Sequence, residues 1–151
     1  MKTIISFLLV FSMISCNNKE STQKETTNTN SDFSVVYLEN YFPRNDIEFT
    51  TPVKAMVISN REKFDSYFGI AQTMYNKVTP IDFEKNKVVA IITEPSDVKQ
   101  EIIITETLLK DNKLLVKYKI EKGEIRSFTA NDLKLFEIPK TIYGVDFTTE
   151  N

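Results

Sequence analysis

Lys87-Val88-Val89-Ala90-Ile91-Ile92-Thr93 is apolar at five consecutive positions, four of them β-branched. A strand wet on one face alternates apolar and polar residues with a period of two. A short run without alternation predicts a strand covered on both faces. Whatever the rest of the chain forms, it must supply a layer above this segment and another below it.

Downstream, Pro95-Ser96-Asp97 reads as a break, and residues 101–109 as a second β-branched run. Lys110-Asp111-Asn112-Lys113 predicts a hairpin turn, because Asp and Asn tolerate left-handed backbone. The returning segment alternates, with Leu114, Val116, Tyr118 and Ile120 on one side and Lys113, Lys117 and Lys119 on the other. That pattern predicts one buried and one solvated face. Glu121-Lys122-Gly123-Glu124 reads as a further turn, and residues 125–128, 133–138 and 143–147 as up to three more strands, with Pro139 ending one.

Upstream, residues 34–38 and 53–58 read as strands, 40–46 as a loop and Ile47-Glu48-Phe49 as a short extended piece. Between them and the Val88 run lies one helical signal. Ser59 and Glu62 have the spacing of a capping box, in which each side chain satisfies an orphan amide of the other. Phe64, Tyr67 and Phe68 then share one helix face, and Gly69 stands where a left-handed C-cap is expected. The aromatic stripe is read as core packing. The whole predicts an α+β, mainly β fold: a single antiparallel curved sheet, open barrel or sandwich of about seven strands, with a short helix over about residues 60–68 packed on it.

The first sixteen residues have a different character. Met1-Lys2-Thr3 is a short positive start, and residues 4–14 are apolar apart from Ser6 and Ser12. The run falls short of the roughly 20 apolar residues a bilayer-spanning helix needs, and has the layout of a secretory signal. Cys16, the only cysteine, follows Ser15 and precedes the polar Asn17-Asn18. Met13-Ile14-Ser15-Cys16 resembles the lipobox of bacterial lipoproteins, which implies cleavage between Ser15 and Cys16 and lipid attachment at Cys16. An ordinary signal peptide, or a buried free cysteine, is the plainer alternative. Residues 1–15 are thus expected to be a signal peptide, and 16–31, with no aliphatic or aromatic residue after Cys16, a disordered polar tether. Residues 32–151 then make a single β-rich domain.

Composition narrows the chemistry. Histidine is absent, so Ser-His-Asp triads and His-ligated metal sites are excluded, and Cys16 alone supports no thiolate site. Three isolated glycines cannot build a phosphate cradle. The formal charge is −2 with both signs scattered, so no basic stripe points to nucleic acid. No cofactor is expected. Asp82/Glu84 and Glu94/Asp97 could be invoked as acid–base pairs of a carboxylate enzyme or a glycan-binding module, but they read as solvated turn residues.

From residue 57 onward the chain resembles the C-terminal domain family of the PrcB protease-complex lipoproteins. Residues 58–64, with Ser59, Glu62 and Phe64, are similar to that family's helix start. Asp82-Phe83 followed by Val88-Val89-Ala90 resembles its strand entry, and the strands around 102–105 and 114–118 its central hairpin. Ile138-Pro139-Lys140, with Val145 and Phe147, is similar to its closing strand. Two loops depart from the pattern, Asp97-Val98-Lys99-Gln100 and Ala130-Asn131-Asp132-Leu133. The resemblance implies a non-catalytic accessory lipoprotein of the bacterial cell envelope, outer membrane first, that binds or stabilises an exported protein such as a protease. An inhibitor or immunity-type lipoprotein is the alternative. The loops expected to meet a partner are those carrying Tyr41 and Phe42 and Pro95, Ser96, Asp97 and Val98.

Overall fold

The computed structural model describes residues 31–71 and 77–150. In chain order these form β1 (Ser31–Asp32), β2 (Val36–Tyr37), β3 (Tyr41–Pro43), β4 (Val53–Ile58), α1 (Arg61–Tyr67) and β5 (Phe68–Ile70). There follow β6 (Asn86–Thr93), β7 (Ser96–Lys110), β8 (Lys113–Ala130), β9 (Leu133–Pro139) and β10 (Gly144–Thr149). One four-stranded sheet runs β2-β9-β6-β4 and a second β1-β7-β8-β10, while β3 and β5 make a separate ribbon. The fold is α+β and mainly β, with two sheets face to face and no closed barrel. No helix among the described residues is long and apolar enough to cross a membrane.

The Val88 run is the inner strand its composition requires. Val88 to Thr93 are all fully buried, and alternation deals them to two cores. Val88, Ala90 and Ile92 pack with Phe64 and Phe68 under the helix. Val89 and Ile91 pack with Leu114, Val116, Tyr118 and Phe136 between the sheets. Each fully buried aliphatic side chain contributes about 1.5–3 kcal/mol, so this strand is the hub of both layers.

The helix is shorter and differently capped than the capping box predicts. Asn60, not Ser59, is the N-cap: its Oδ1 accepts from the Lys63 amide at 2.8 Å. Glu62 still sits in the first turn, where the helix dipole favours an acid. The aromatic stripe packs inward as expected, Phe64 meeting Phe68 at 4.9 Å and Tyr41 edge-on at 5.1 Å between ring centroids. Gly69 is not a left-handed cap. Phe68 goes extended straight out of α1 to start β5, and Gly69 lies opposite Phe42 in the β3–β5 ribbon. The 40–46 segment therefore contains a strand, and 47–49 forms none; Ile47 and Phe49 simply pack against the helix-side core.

The turn at Asp111-Asn112 is as predicted, with φ of 49° and 57°, the pair of left-handed residues a two-residue hairpin loop needs. The turn expected at 121–124 does not occur. No glycine has positive φ, and β8 runs unbroken to Ala130, so residues 125–128 belong to it. The extra residues are absorbed as bulges: Val98 pairs with Ile125 and Ser96 with Ala130, leaving four residues of β8 opposite Asp97. The break after Thr93 shrinks accordingly to Glu94 and Pro95, since Ser96 already starts β7. One pairing departs from the antiparallel expectation. Residues 140–143 cross from one sheet to the other instead of doubling back, so β10 runs parallel to β8.

Candidate functional site

Asn40 begins the surface. At φ 65° it turns the chain into β3, its side-chain amide donating to the Lys77 carbonyl at 2.8 Å. Alternation then sends successive side chains opposite ways. Tyr41 points inward, its hydroxyl donating to the Thr79 carbonyl at 2.7 Å. Burial pushes the Tyr41 phenol above its ordinary pKa, against the opposing pull of Arg61. Phe42 points outward and is 48% exposed, its ring lying across Gly69.

A second loop reaches the same place from the other side. β6 ends at Thr93, the Glu94 amide donates to the Pro52 carbonyl at 2.8 Å, and Pro95 lies beside Thr129 and Ala130 at the end of β8 and Asn131 just after it. Phe42, Pro43 and Asn45 complete the lining of an open, shallow concavity of about 460 Å³. Phe128, 61% exposed, precedes Thr129 in β8, and the Arg126 guanidinium lies over its ring at 5.6 Å.

An ion pair holds the Pro95 side of this surface. Arg126 meets Asp132 through two nitrogens, at 2.9 and 3.2 Å, and the same guanidinium donates to the carbonyls of Ser96, Val98 and Ala130. Asp132 accepts from the Gln100 amide at 2.7 Å, and Asn131 donates to the Thr93 carbonyl at 2.8 Å. The Asp132 amide bonds the buried Thr93 hydroxyl at 2.9 Å. The two charged side chains are only 14% and 18% exposed, so the pair acts in a drier medium than a surface bridge. It ties β6, β7, β8 and the start of β9 together at one point.

Phe42 and Pro95, from loops over fifty residues apart in the chain, therefore line one surface. Tyr41 serves the core, and Asp97 is solvated to one side. Ser96 and Val98 take part through their backbones, the Ser96 hydroxyl accepting from the Val98 amide at 3.0 Å. Sequence reading missed Arg126 and Phe128, and gave Asn131 and Asp132 only as part of a loop that departs from the family pattern. The pairing of Arg126 with Asp132 exists only because the β8 bulge folds one back on the other, and no local pattern announces it. Cys16 and Ser15, with the signal peptide and the expected tether up to residue 30, lie outside the described residues; the tether's last residue, Ser31, lies in β1 and pairs with Leu109.

Of the carboxylate pairs, Asp82 and Glu84 belong to the turn before β6, and Asp97 lies in β7. Asp82 meets Lys85 at 3.0 Å and accepts from the Glu84 amide at 3.0 Å, which in that order hold its carboxyl below the usual range. The Glu94 carbonyl accepts from Gln100, while Asp97 points to solvent.

The chain matches no protein-family model, no curated protein and no solved structure.

Proposed function

We propose that this chain is a non-catalytic, lipid-anchored protein of the bacterial cell envelope whose domain binds an exported protein, such as a protease, through the Phe42–Pro95 surface. The observation that carries the reading is the meeting of two distant segments on one open concavity whose Pro95 side is pinned by Arg126 and Asp132. A pinned backbone loses little freedom on binding, and exposed aromatics such as Phe42 and Phe128 are the side chains that dominate protein interfaces. A small-molecule site is typically enclosed, and this one is shallow.

The segments that resemble the PrcB-like family fall on core and turn positions: Phe64, Val88, Ala90 and Ile138 are buried, and Asp82 closes a turn. They speak for the fold. Of the two stretches that depart from that family's pattern, one supplies Ala130 and Asn131 to this surface, and the other joins it through the Gln100 amide, which donates to Asp132. On this reading the partner is recognised differently from the partners of PrcB-like proteins. The test is photocrosslinking in cells from positions 42, 95 and 129, with mass spectrometry of the products. One exported protein captured from all three, and lost from positions 95 and 129 with Phe42→Asp, is the expected result; capture only from positions elsewhere on the domain would overturn it. Activity of the captured protein with and without this chain separates a stabiliser from an inhibitor.

A further inference from the structure

The hairpin of β7 and β8 gives the domain two distant ends. From the Lys110–Lys113 pair at its tip to the Ser96–Ala130 pair at its base there are fourteen residue steps along β7. At about 3.3 Å per residue that is roughly 45 Å, somewhat less where the bulges bend it. The Phe42–Pro95 surface lies at the base. The chain enters at the tip, where Ser31 pairs with Leu109 and Asp32 with Leu108.

Beside that entry the outer face of the sheet is apolar. Leu109 and Leu114 point into the core, so their neighbours Leu108 and Leu115 face out, and they floor a concavity of about 370 Å³. Tyr143 walls it at 70% exposure, its amide held by the Asn112 carbonyl at 3.0 Å. Lys110, Asp111, Lys113 and Asp146 form the rim, their charges cancelling, with Lys113 and Asp146 paired at 2.6 Å.

We infer that this tip rests on a lipid surface: Tyr143 and the Leu108–Leu115 floor enter the boundary between headgroups and acyl chains and aim the Phe42–Pro95 surface away from the membrane. The inference rests on the lipid-anchored reading above. If the fifteen residues 16–30 form a flexible coil, their r.m.s. span is roughly 20 Å, less than half the hairpin, so an anchor at Cys16 holds the tip on average nearer the bilayer than the base. Tyrosine, with an apolar ring and a polar tip, and lysine, with an apolar stem, are side chains suited to that boundary. With the rim charges balanced, contact depends on apolar and aromatic burial, so neutral phosphatidylcholine suffices and added salt changes little.

The chain has no tryptophan, so single reporters can be placed at either end. The full lipidated chain carrying Tyr143→Trp or Phe128→Trp is reconstituted in phosphatidylcholine vesicles, with and without brominated acyl chains. Both are aromatic exchanges at exposed positions, and circular dichroism checks that each keeps the wild-type spectrum. Trp at 143 should shift to the blue and lose emission to brominated lipid, and Trp at 128 should do neither. If both respond alike, or neither does, while the protein floats with the vesicles, the docked tip is wrong and the anchor stands. If Cys16→Ala floats as well as the wild type, the anchor reading fails and this inference falls with it.

Discussion

Gly69 shows how a single hydrogen sets what the surface presents. A Cβ at this position would stand 2.4 Å from Cζ of Phe42, closer than real carbon contacts allow. The obstructed atom is the far end of an exposed ring, so Gly69→Ala should leave the melting temperature almost unchanged and swing Phe42 aside. Crosslinking from position 42 should be lost while stability holds; loss of both together would mean Gly69 is structural. The helix cap offers a second test at this scale. Ser59 and Asn60 are both competent N-caps in adjacent places, and nothing local ranks them. Asn60→Ala should cost about 0.5–2 kcal/mol and Ser59→Ala almost nothing in chemical denaturation. Tyr41 adds a pH dependence. Its folded pKa is raised above the ordinary value of about 10, so its contribution is complete below that pH and is lost as pH rises through the folded value. Lys85, Lys113, Lys117 and Lys119, raised by their acidic partners, change stability in the same direction, so the comparison must be with Tyr41→Phe. The wild type should lose more stability than that variant between about pH 9 and about pH 11, and parallel curves would show that the buried phenol is irrelevant.

Among the elements, β6, α1 and the Asp111–Asn112 turn were legible because each is written in adjacent residues: an unbroken apolar run, aromatics at helical spacing, two residues that tolerate positive φ. The long β8 was not. Glu121-Lys122-Gly123-Glu124 has turn composition, yet its backbone groups find partners on β7, and extending the hairpin through a bulge satisfies them without reversing the chain. Half of the candidate site was legible for the same reason. Phe42 and Pro95 stand out as apolar residues in polar loops, whereas Arg126 and Asp132 look like ordinary surface charges until the bulge brings them together. Removing one partner of such a pair leaves the other poorly solvated, so Asp132→Asn and Arg126→Met should each destabilise by on the order of 3 kcal/mol. The double variant should recover part of that loss, because no charge is left alone. Simple addition of the two losses in denaturation experiments would show that the pair does not act as a clamp. Hydrogen exchange should quicken first at Gln100 and Asp132, whose amides the network holds.

At the scale of the molecule, almost every sheet contact joins distant parts of the chain. β2 near the start of the domain pairs with β9, β4 with β6 across the helix, and β6 with β9 across the entire hairpin; β7 and β8 alone are neighbours through a tight turn. Closing the distant pairs requires chain entropy to be lost before their contacts are gained, which places folding in the range of milliseconds to seconds typical of β sandwiches. The same asymmetry orders the events. The β7–β8 hairpin can form locally and offer Leu114, Val116 and Tyr118 as a template, on which Val89, Ile91 and Phe136 settle once β6 and β9 arrive. A change in the turn should therefore act on folding and a change in the late-arriving strand on unfolding. Asn112→Ala, which puts a side chain without special tolerance at φ 57°, should slow refolding and leave the unfolding rate nearly as it was. Phe136→Ala, fully buried between the sheets, should cost about 3–5 kcal/mol and appear chiefly as faster unfolding. Stopped-flow refolding and unfolding across a denaturant series would read both limbs. If Phe136→Ala slows refolding as much as its loss of stability allows and Asn112→Ala leaves refolding untouched, the two-sheet core assembles first and the hairpin zips onto it.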